Sequence, residues 1–184
     1  MAEQFKRLDR KLVYHGHIVD FYEDTMQVPN GNVVKWDFIK HNGAAAVVPV
    51  LDDGRILMVK QYRNALDKEI WEIPAGGLNG QEPFIECSHR ELEEETGYHC
   101  ELGDMEFLIS IASTVAFCNE RIDVYVAKNL VKTSQHLDED EFINVKPYTT
   151  DELKKMIFAG EIQDAKTIAS IMSYINKYEC DKHN

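Results

Sequence analysis

The 184-residue chain carries 32 acidic against 20 basic residues, a formal net charge of -12, with 44% apolar side chains. That apolar share is enough for the core of one ordinary domain, while the acidic excess excludes a protein that holds nucleic acid or an anionic membrane through a basic surface. A phosphorylated substrate stays compatible, because divalent cations can bridge an acidic site and a polyanion. The cysteines Cys87, Cys100, Cys118 and Cys180 show no CxxC pair and no zinc-like spacing, and they read as reduced thiols. The N-terminal MAEQFKRLDRK is charged with no apolar run behind it, so neither signal peptide nor membrane span is expected, and a cytoplasmic location follows.

Residues 11–28 and 32–40 alternate well enough to be strands, joined by Pro29-Asn30-Gly31-Asn32, whose Asn-Gly pair is a strong hairpin signal. Two or three strands alone are marginally stable in water, so this N-terminal piece, residues 1–41, needs the main body or a second subunit to cover one face. Residues 42–184 read as the main domain. Residues 43–51 are more uniformly apolar, as in a sheet covered on both faces; Asp52-Asp53-Gly54 offers a turn and 55–63 the returning strand. A short strand over 69–75 precedes a glycine-containing loop and a helix beginning near Pro83, a residue suited to a first helical position. Further strands are expected at 105–112, 121–127 and 141–147. Two late helices follow, at 150–160 with Asp151 near its start and Gly160 as its stop, and at 164–178 with Asp164 as its cap. This order predicts an α+β fold, a layered α/β/α sandwich around a mixed sheet, with a small N-terminal antiparallel β-hairpin domain.

The segment RELEEETG, residues 90–97, sets Glu91, Glu93, Glu94 and Glu95 in the last turns of the first helix. Like charges three and four residues apart repel by roughly 0.2–0.5 kcal/mol per pair, and the negative pole of the helix dipole disfavours anions there as well. On a helical wheel Phe84, Ser88 and Leu92 form a core-facing stripe; Glu91 and Glu95 lie one turn apart along its edge, Glu94 flanks them and Glu93 points away. Two carboxylates so placed can share a hard cation. The alternative is a solvated glutamate-rich face.

Read from Gly76, the segment GGLNGQEPFIECSHRELEEETGY matches the signature of the Nudix hydrolases at Gly76, Glu82, Arg90, Glu91, Leu92, Glu94, Glu95, Gly97 and Tyr98. The resemblance implies a loop-helix-loop that binds Mg2+ or Mn2+ and hydrolyses a nucleoside diphosphate linked to another moiety. By that resemblance Glu91, Glu94 and Glu95 supply metal ligands or their close support, Glu94 and Arg90 belong to the catalytic set, Glu82 joins the acidic cluster, and the Ala75 carbonyl is a further ligand. Arg90 would orient the carboxylates through charge-assisted hydrogen bonds. Bound dications would offset the carboxylate repulsion.

Around that box, VKQYRNALDKEIWEIPAGGL resembles the ADP-ribose pyrophosphatase branch of the family, and the likeness runs on through LDEDEFINV and GEIQDAKTIASI. It implies that Arg63 contacts phosphate or ribose, against the alternative of an ion pair with Asp67 or Glu69. It makes Glu72 a substrate-contacting or structural carboxylate, and Trp36, on the second N-terminal strand, a base-stacking residue. In relatives a glutamate from the acidic loop acts as general base; Glu141 is the first choice and Glu139 the second. STVAFCNE, residues 113–120, has Val115 and Ala116 where many ADP-ribose hydrolases carry Pro-Gly, so this loop differs in shape and selectivity is in question, although Glu120 remains to contact ligand or metal. The expected substrate is ADP-ribose or a related nucleoside diphosphate sugar, the expected assembly a homodimer with exchanged N-terminal strands, with no nucleic-acid or membrane partner. The alternatives are a GDP-mannose-like substrate and a non-catalytic nucleotide-sugar sensor.

Overall fold

The computed structural model describes residues 4–139 and 141–179, which leaves Cys180 outside the described residues. Two compact units divide the chain, residues 1–43 with 112–121 and residues 44–111 with 122–184. The first unit carries a three-stranded antiparallel meander, β1 (Lys6–His15), β2 (Asp20–Gln27) and β3 (Val33–Lys40). The alternating stretch 11–28 is therefore two strands, because the chain reverses where the Gly16 N–H donates to the Val19 carbonyl at 3.0 Å. Trp36 consequently lies on the third strand. The Asn30-Gly31 hairpin forms as its sequence dictates, with Gly31 at φ +87° and its N–H donating to the Val28 carbonyl at 2.9 Å.

Arg10 of β1 grips the buried Asp24 of β2 with Nε and Nη2, both at 2.6 Å, and its guanidinium lies 3.6 Å from the centre of the Phe38 ring. The Arg10 hydrogen bonds hold the Asp24 carboxyl below its ordinary value, outweighing burial. A carboxyl depressed on folding stabilises the fold above its unfolded pKa, about 3.9, and that contribution disappears as pH falls through the folded value. Thermal melts between pH 6 and pH 3 should therefore show a steeper loss in the wild type than in Asp24→Asn.

The second unit is built on β4 (Ala44–Pro49), β5 (Ile56–Arg63), β6 (Lys68–Glu72), β7 (Ala75–Gly77), α1 (Phe84–Thr96), β8 (Tyr98–His99), β9 (Met105–Ala112), β10 (Arg121–Ala127), β11 (Val131–Lys132), β12 (Asn144–Tyr148), α2 (Thr150–Phe158) and α3 (Ala165–Tyr178). One sheet has the order β7-β4-β10-β9, with β10 parallel and β7 antiparallel to β4, so it is mixed. A second sheet, β12-β5-β6, is antiparallel. The predicted strand 69–75 is divided between them: Pro74 lacks a ladder donor, and on either side of it β6 and β7 join different sheets. The strand expected from 141 begins at Asn144, because the Glu141 N–H turns back to the Asp138 carbonyl at 3.0 Å.

All six residues of β4 are buried. Ala44, Ala46 and Val48 pack with Leu153 of α2 and Ile171 of α3, whereas Val47 packs with Leu92 of α1. Successive side chains of a strand point to opposite faces, so α1 covers one face of the sheet and α2 with α3 the other. That is the expected α/β/α layering. Helix ends follow local chemistry: Pro83 sits just outside α1, Thr149 and Glu152 form a capping box on α2, and Asp164 accepts the Thr167 N–H at 2.9 Å to cap α3.

Candidate active site

A cavity of about 390 Å³ opens between the β7 loop, α1 and the chain just before β12. Ala75 to Asn79 form one wall, Arg90, Glu91 and Glu94 the floor from α1, and Asp138 with Glu141 the opposite side. The start of the loop is held from two sides. Ala75 and Gly76 pair with Ala46 and Ala45 of β4, and the Ala75 N–H donates to Glu95 Oε2 at 3.0 Å. A Cβ on Gly76 would stand 1.8 Å from Glu91 Oε1. Only a residue without a side chain lets that carboxylate rest against the strand.

Arg90 gathers the acids. Its Nη1 donates to Glu91 at 2.6 Å and Glu94 at 2.7 Å, and its Nη2 to Glu82 at 2.9 Å and the Gly77 carbonyl at 3.2 Å. Glu82 also accepts the Asn79 N–H at 2.6 Å. Burial alone would raise the Glu82 carboxyl, but these donors hold it below its ordinary value. The deeper acids are less well served. Burial pushes Glu91 up against the opposing pull of Arg90, with Glu94 and Glu141 adding to the rise. Glu95, 3% exposed, is pushed up to about 8 by burial first and then by the charges of Glu91 and Glu141; the Ala75 N–H offsets only part of this.

The adverse helix pole is partly answered from a distant segment. The His136 N–H donates to the Glu94 carbonyl at 3.0 Å, the Thr133 N–H to that of Gly97 at 2.7 Å, and the Gln135 side-chain amide to that of Glu95 at 2.6 Å. These donors sit where helix carbonyls have no intrahelical partner. Gly97 allows the approach, since it takes φ +68° and a Cβ there would meet the Gln135 backbone nitrogen at 3.0 Å. Glu93 points away from the cavity, 3.4 Å from His99 Nδ1.

Among the described residues no three His, Cys, Asp or Glu side chains are already convergent as metal ligands; Glu91 and Glu94 share Arg90 instead. The donor set nevertheless suits a hard divalent cation. It is entirely oxygen, from carboxylates and a neighbouring peptide carbonyl. The cradle left by Gly76 admits the Glu91 carboxylate, and burial raises both Glu91 and Glu95 because Arg90 alone does not compensate their ionised forms.

The remaining sequence candidates fall in three places. Glu141 lines the cavity, its Oε2 accepting the Asp138 N–H at 3.3 Å; Glu139 is exposed and does not line it, while Asp138, which sequence reasoning passed over, does. Arg63 pairs with neither Asp67 nor Glu69: Tyr62 bonds Asp67 and Lys60 bonds Glu69. Arg63 instead forks onto the buried Glu72 with Nε at 2.6 Å and Nη2 at 2.8 Å. Trp36 and Glu120 belong to the first unit. Trp36 is 46% exposed, tilted against Phe5 at 5.9 Å, and with Lys35, Asp37, Ala116 and Phe117 borders a second cavity of about 430 Å³. Lacking Pro-Gly, the 113–120 loop runs along β3, where the Ile39 N–H donates to the Phe117 carbonyl at 2.6 Å and Ile39 bridges Cys118 in parallel. Glu120 lies 3.5 Å from His41 Nε2. His41 Nδ1 accepts the Gly43 N–H at 3.0 Å, so in the neutral ring Nε2 carries the proton that faces Glu120.

The NUDIX domain family model matches residues 40–171. A methanol dehydrogenase activator of Bacillus methanolicus is 41% identical over 181 residues, covering 97% of this chain and 96% of its own. ADP-ribose pyrophosphatases of Bacillus subtilis (strain 168) and Mycobacterium tuberculosis are 37% and 30% identical, covering 90% and 94% of this chain and 90% and 84% of their own. A crystal structure of an ADP compounds hydrolase superposes with a TM-score of 0.87 at 17% identity, covering 100% of this chain and 98% of its own, a likeness of fold. The chain belongs to the Nudix family. Within it the chain falls in the ADP-ribose pyrophosphatase branch, and its class is that of a pyrophosphohydrolase.

Proposed function

We propose that the chain hydrolyses the pyrophosphate of ADP-ribose to AMP and ribose 5-phosphate, with Mg2+, or Mn2+, held by Glu91, Glu94, Glu95 and the Ala75 carbonyl. The observation that carries this reading is the buried, incompletely neutralised carboxylate cluster beside Gly76. When bound, the cation supplies positive charge for the diphosphate and acidifies a water. Glu141 would accept a water's proton on Oε1, which has no hydrogen bond among the described residues while Oε2 accepts the Asp138 N–H. Arg90 keeps Glu91 and Glu94 oriented. Arg63 offers its planar donor edge to the diphosphate.

In the same reading the enzyme is a cytoplasmic homodimer, and Trp36 stacks on adenine in the partner subunit's site. Support comes from the exposed apolar residues Leu8, Leu12, Tyr14 and Val33 of the first unit, which a second subunit would cover, and from free cysteines at 87, 100 and 118. Among the described residues no helix is long and apolar enough to cross a membrane.

Product analysis on a panel of nucleotide sugars with and without Mg2+ tests the reading. Mg2+-dependent release of AMP from ADP-ribose is expected; preference for GDP-mannose supports the alternative substrate, and turnover of no compound supports the sensor. Trp36→Ala should raise KM for ADP-ribose about tenfold with kcat little changed, consistent with the ~1–3 kcal/mol of one base stack; an unchanged KM removes the stacking role. The 41% identical relative favours a second reading, in which the chain activates a dehydrogenase. A faster methanol dehydrogenase rate on adding the protein would support it.

A further inference from the structure

Behind the catalytic loop lies a buried ionic network outside the signature. Glu72 ends β6, three residues before Ala75, and is 2% exposed. Arg63 forks onto it from β5, and from the first turn of α3 the Lys166 ammonium donates to its Oε2. Lys166 also donates to Asp164 at 2.9 Å. Asp164 accepts both the N–H and the hydroxyl of Thr167, at 2.9 and 2.6 Å, and the Thr167 oxygen accepts the Ile73 N–H at 3.0 Å. One lysine thus links the start of α3 to β5, β6 and the backbone leading into the Ala75 loop.

Burying ions costs several kcal/mol each before pairing, so such a network is weak evidence of stabilisation for its own sake. What it accomplishes is orientation. Glu72 takes the Nε and Nη2 side of the guanidinium, and Nη1 makes no hydrogen bond among the described residues. The Arg63 side chain is 40% exposed, and its charge acts on Glu95 of the carboxylate cluster. A carboxylate held by Arg63 alone can swing with it. Held also by an ammonium that is itself fixed to a helix cap, it cannot.

We propose that Lys166 is a positioning residue: by clamping Glu72 from α3 it fixes the Arg63 fork so that the unused Nη1 edge faces the diphosphate of the substrate. This rests on the proposed function for the identity of the ligand. Lys166 presents no atom to the ligand and acts only through Glu72 and Arg63. Thermodynamic coupling between positions 166 and 63 is therefore the signature of the role.

The test is calorimetric binding of a nonhydrolysable methylene analogue of ADP-ribose to the full chain with Mg2+, alongside thermal melts and turnover of ADP-ribose. Lys166→Met should weaken binding about tenfold, and Lys166→Gln, which keeps a donor for Glu72, about threefold. In an Arg63→Ala background neither should weaken it further. Equal weakening in both backgrounds, or an unchanged Kd in Lys166→Met, overturns the proposal. If Lys166→Met melts below the assay temperature, Lys166→Gln with and without Arg63→Ala decides by the same criterion. If Arg63→Ala alone binds as the wild type does, the proposal also fails. Analogue binding with coupled positions but without turnover of ADP-ribose would overturn the proposed reaction and leave the positioning role standing; a wild type that does not bind the analogue overturns both.

Discussion

Glu95→Gln is expected to reduce turnover of ADP-ribose by on the order of 10²–10³-fold, the scale seen when one charge-stabilising group is removed from a site, while the protein folds as before. The two halves of this prediction have one cause. Glu95 is almost completely buried, and burial with the nearby charges of Glu91 and Glu141 makes its ionised form unfavourable. An amide of the same shape keeps the oxygen that accepts the Ala75 N–H at 3.0 Å and removes the charge. Without divalent cation the variant should melt no lower than the wild type at neutral pH, because a buried charge without sufficient partners contributes nothing favourable. With Mg2+ the order should invert, since only the wild type gains from binding. A variant that turns over substrate at near-normal rate would remove Glu95 from the site.

Gly76→Ala should be the second severe loss, reached by a different route. Gly76 is not among the glycines with positive φ, so alanine meets no backbone penalty there. The obstacle is lateral: its Cβ would stand 1.8 Å from Oε1 and 2.1 Å from Cδ of Glu91. The carboxylate must swing away, loosening the Arg90 contact at 2.6 Å. A displacement of about 1 Å at a reacting centre can cost on the order of 10²-fold in rate, and the flexible end of a glutamate can move at a cost of about 1 kcal/mol in stability. Steady-state kinetics with a chemical denaturation curve should therefore separate a large fall in kcat from a small fall in stability. A variant as active as the wild type would mean that Glu91 need not rest against that strand.

The clustering of the candidate site was legible because its residues lie within one continuous stretch. Gly76, Arg90 and the glutamates are brought together by a strand, a loop and one helix, whose local periods can be read from residue order. Leu92 and Ser88 are fully buried, as the helical stripe requires, whereas Phe84 at the head of that stripe is only half-buried. What residue order does not carry is pairing across the topology. Lys166 reaches Glu72 over 94 positions, Asn119 brackets the His41 backbone over 78, and Gln135 caps the glutamate helix over 40. Each depends on which strands become neighbours. Alternation ran through Gly16 and masked the reversal that divides the first two strands, although the glycine itself marks it: a Cβ there would stand 2.7 Å from the Val19 carbonyl oxygen that closes the turn. Arg63 had acidic residues nearer in sequence, at 67 and 69, but the antiparallel β5-β6 register sets Glu69 opposite Tyr62, on the sheet face of Lys60, and Glu72 opposite Val59, on the face of Arg63.

The claim on which the rest depends is that the carboxylates at the end of α1 bind a divalent cation. Titrating Mn2+ into the protein by calorimetry at neutral pH, in two buffers of different ionisation enthalpy, tests it directly. The account predicts saturable binding by the wild type with net proton release, as cation displaces proton from the buried acids, and loss of that binding in Glu95→Gln. Equal binding by both proteins, or no saturable heat in the wild type, would contradict it.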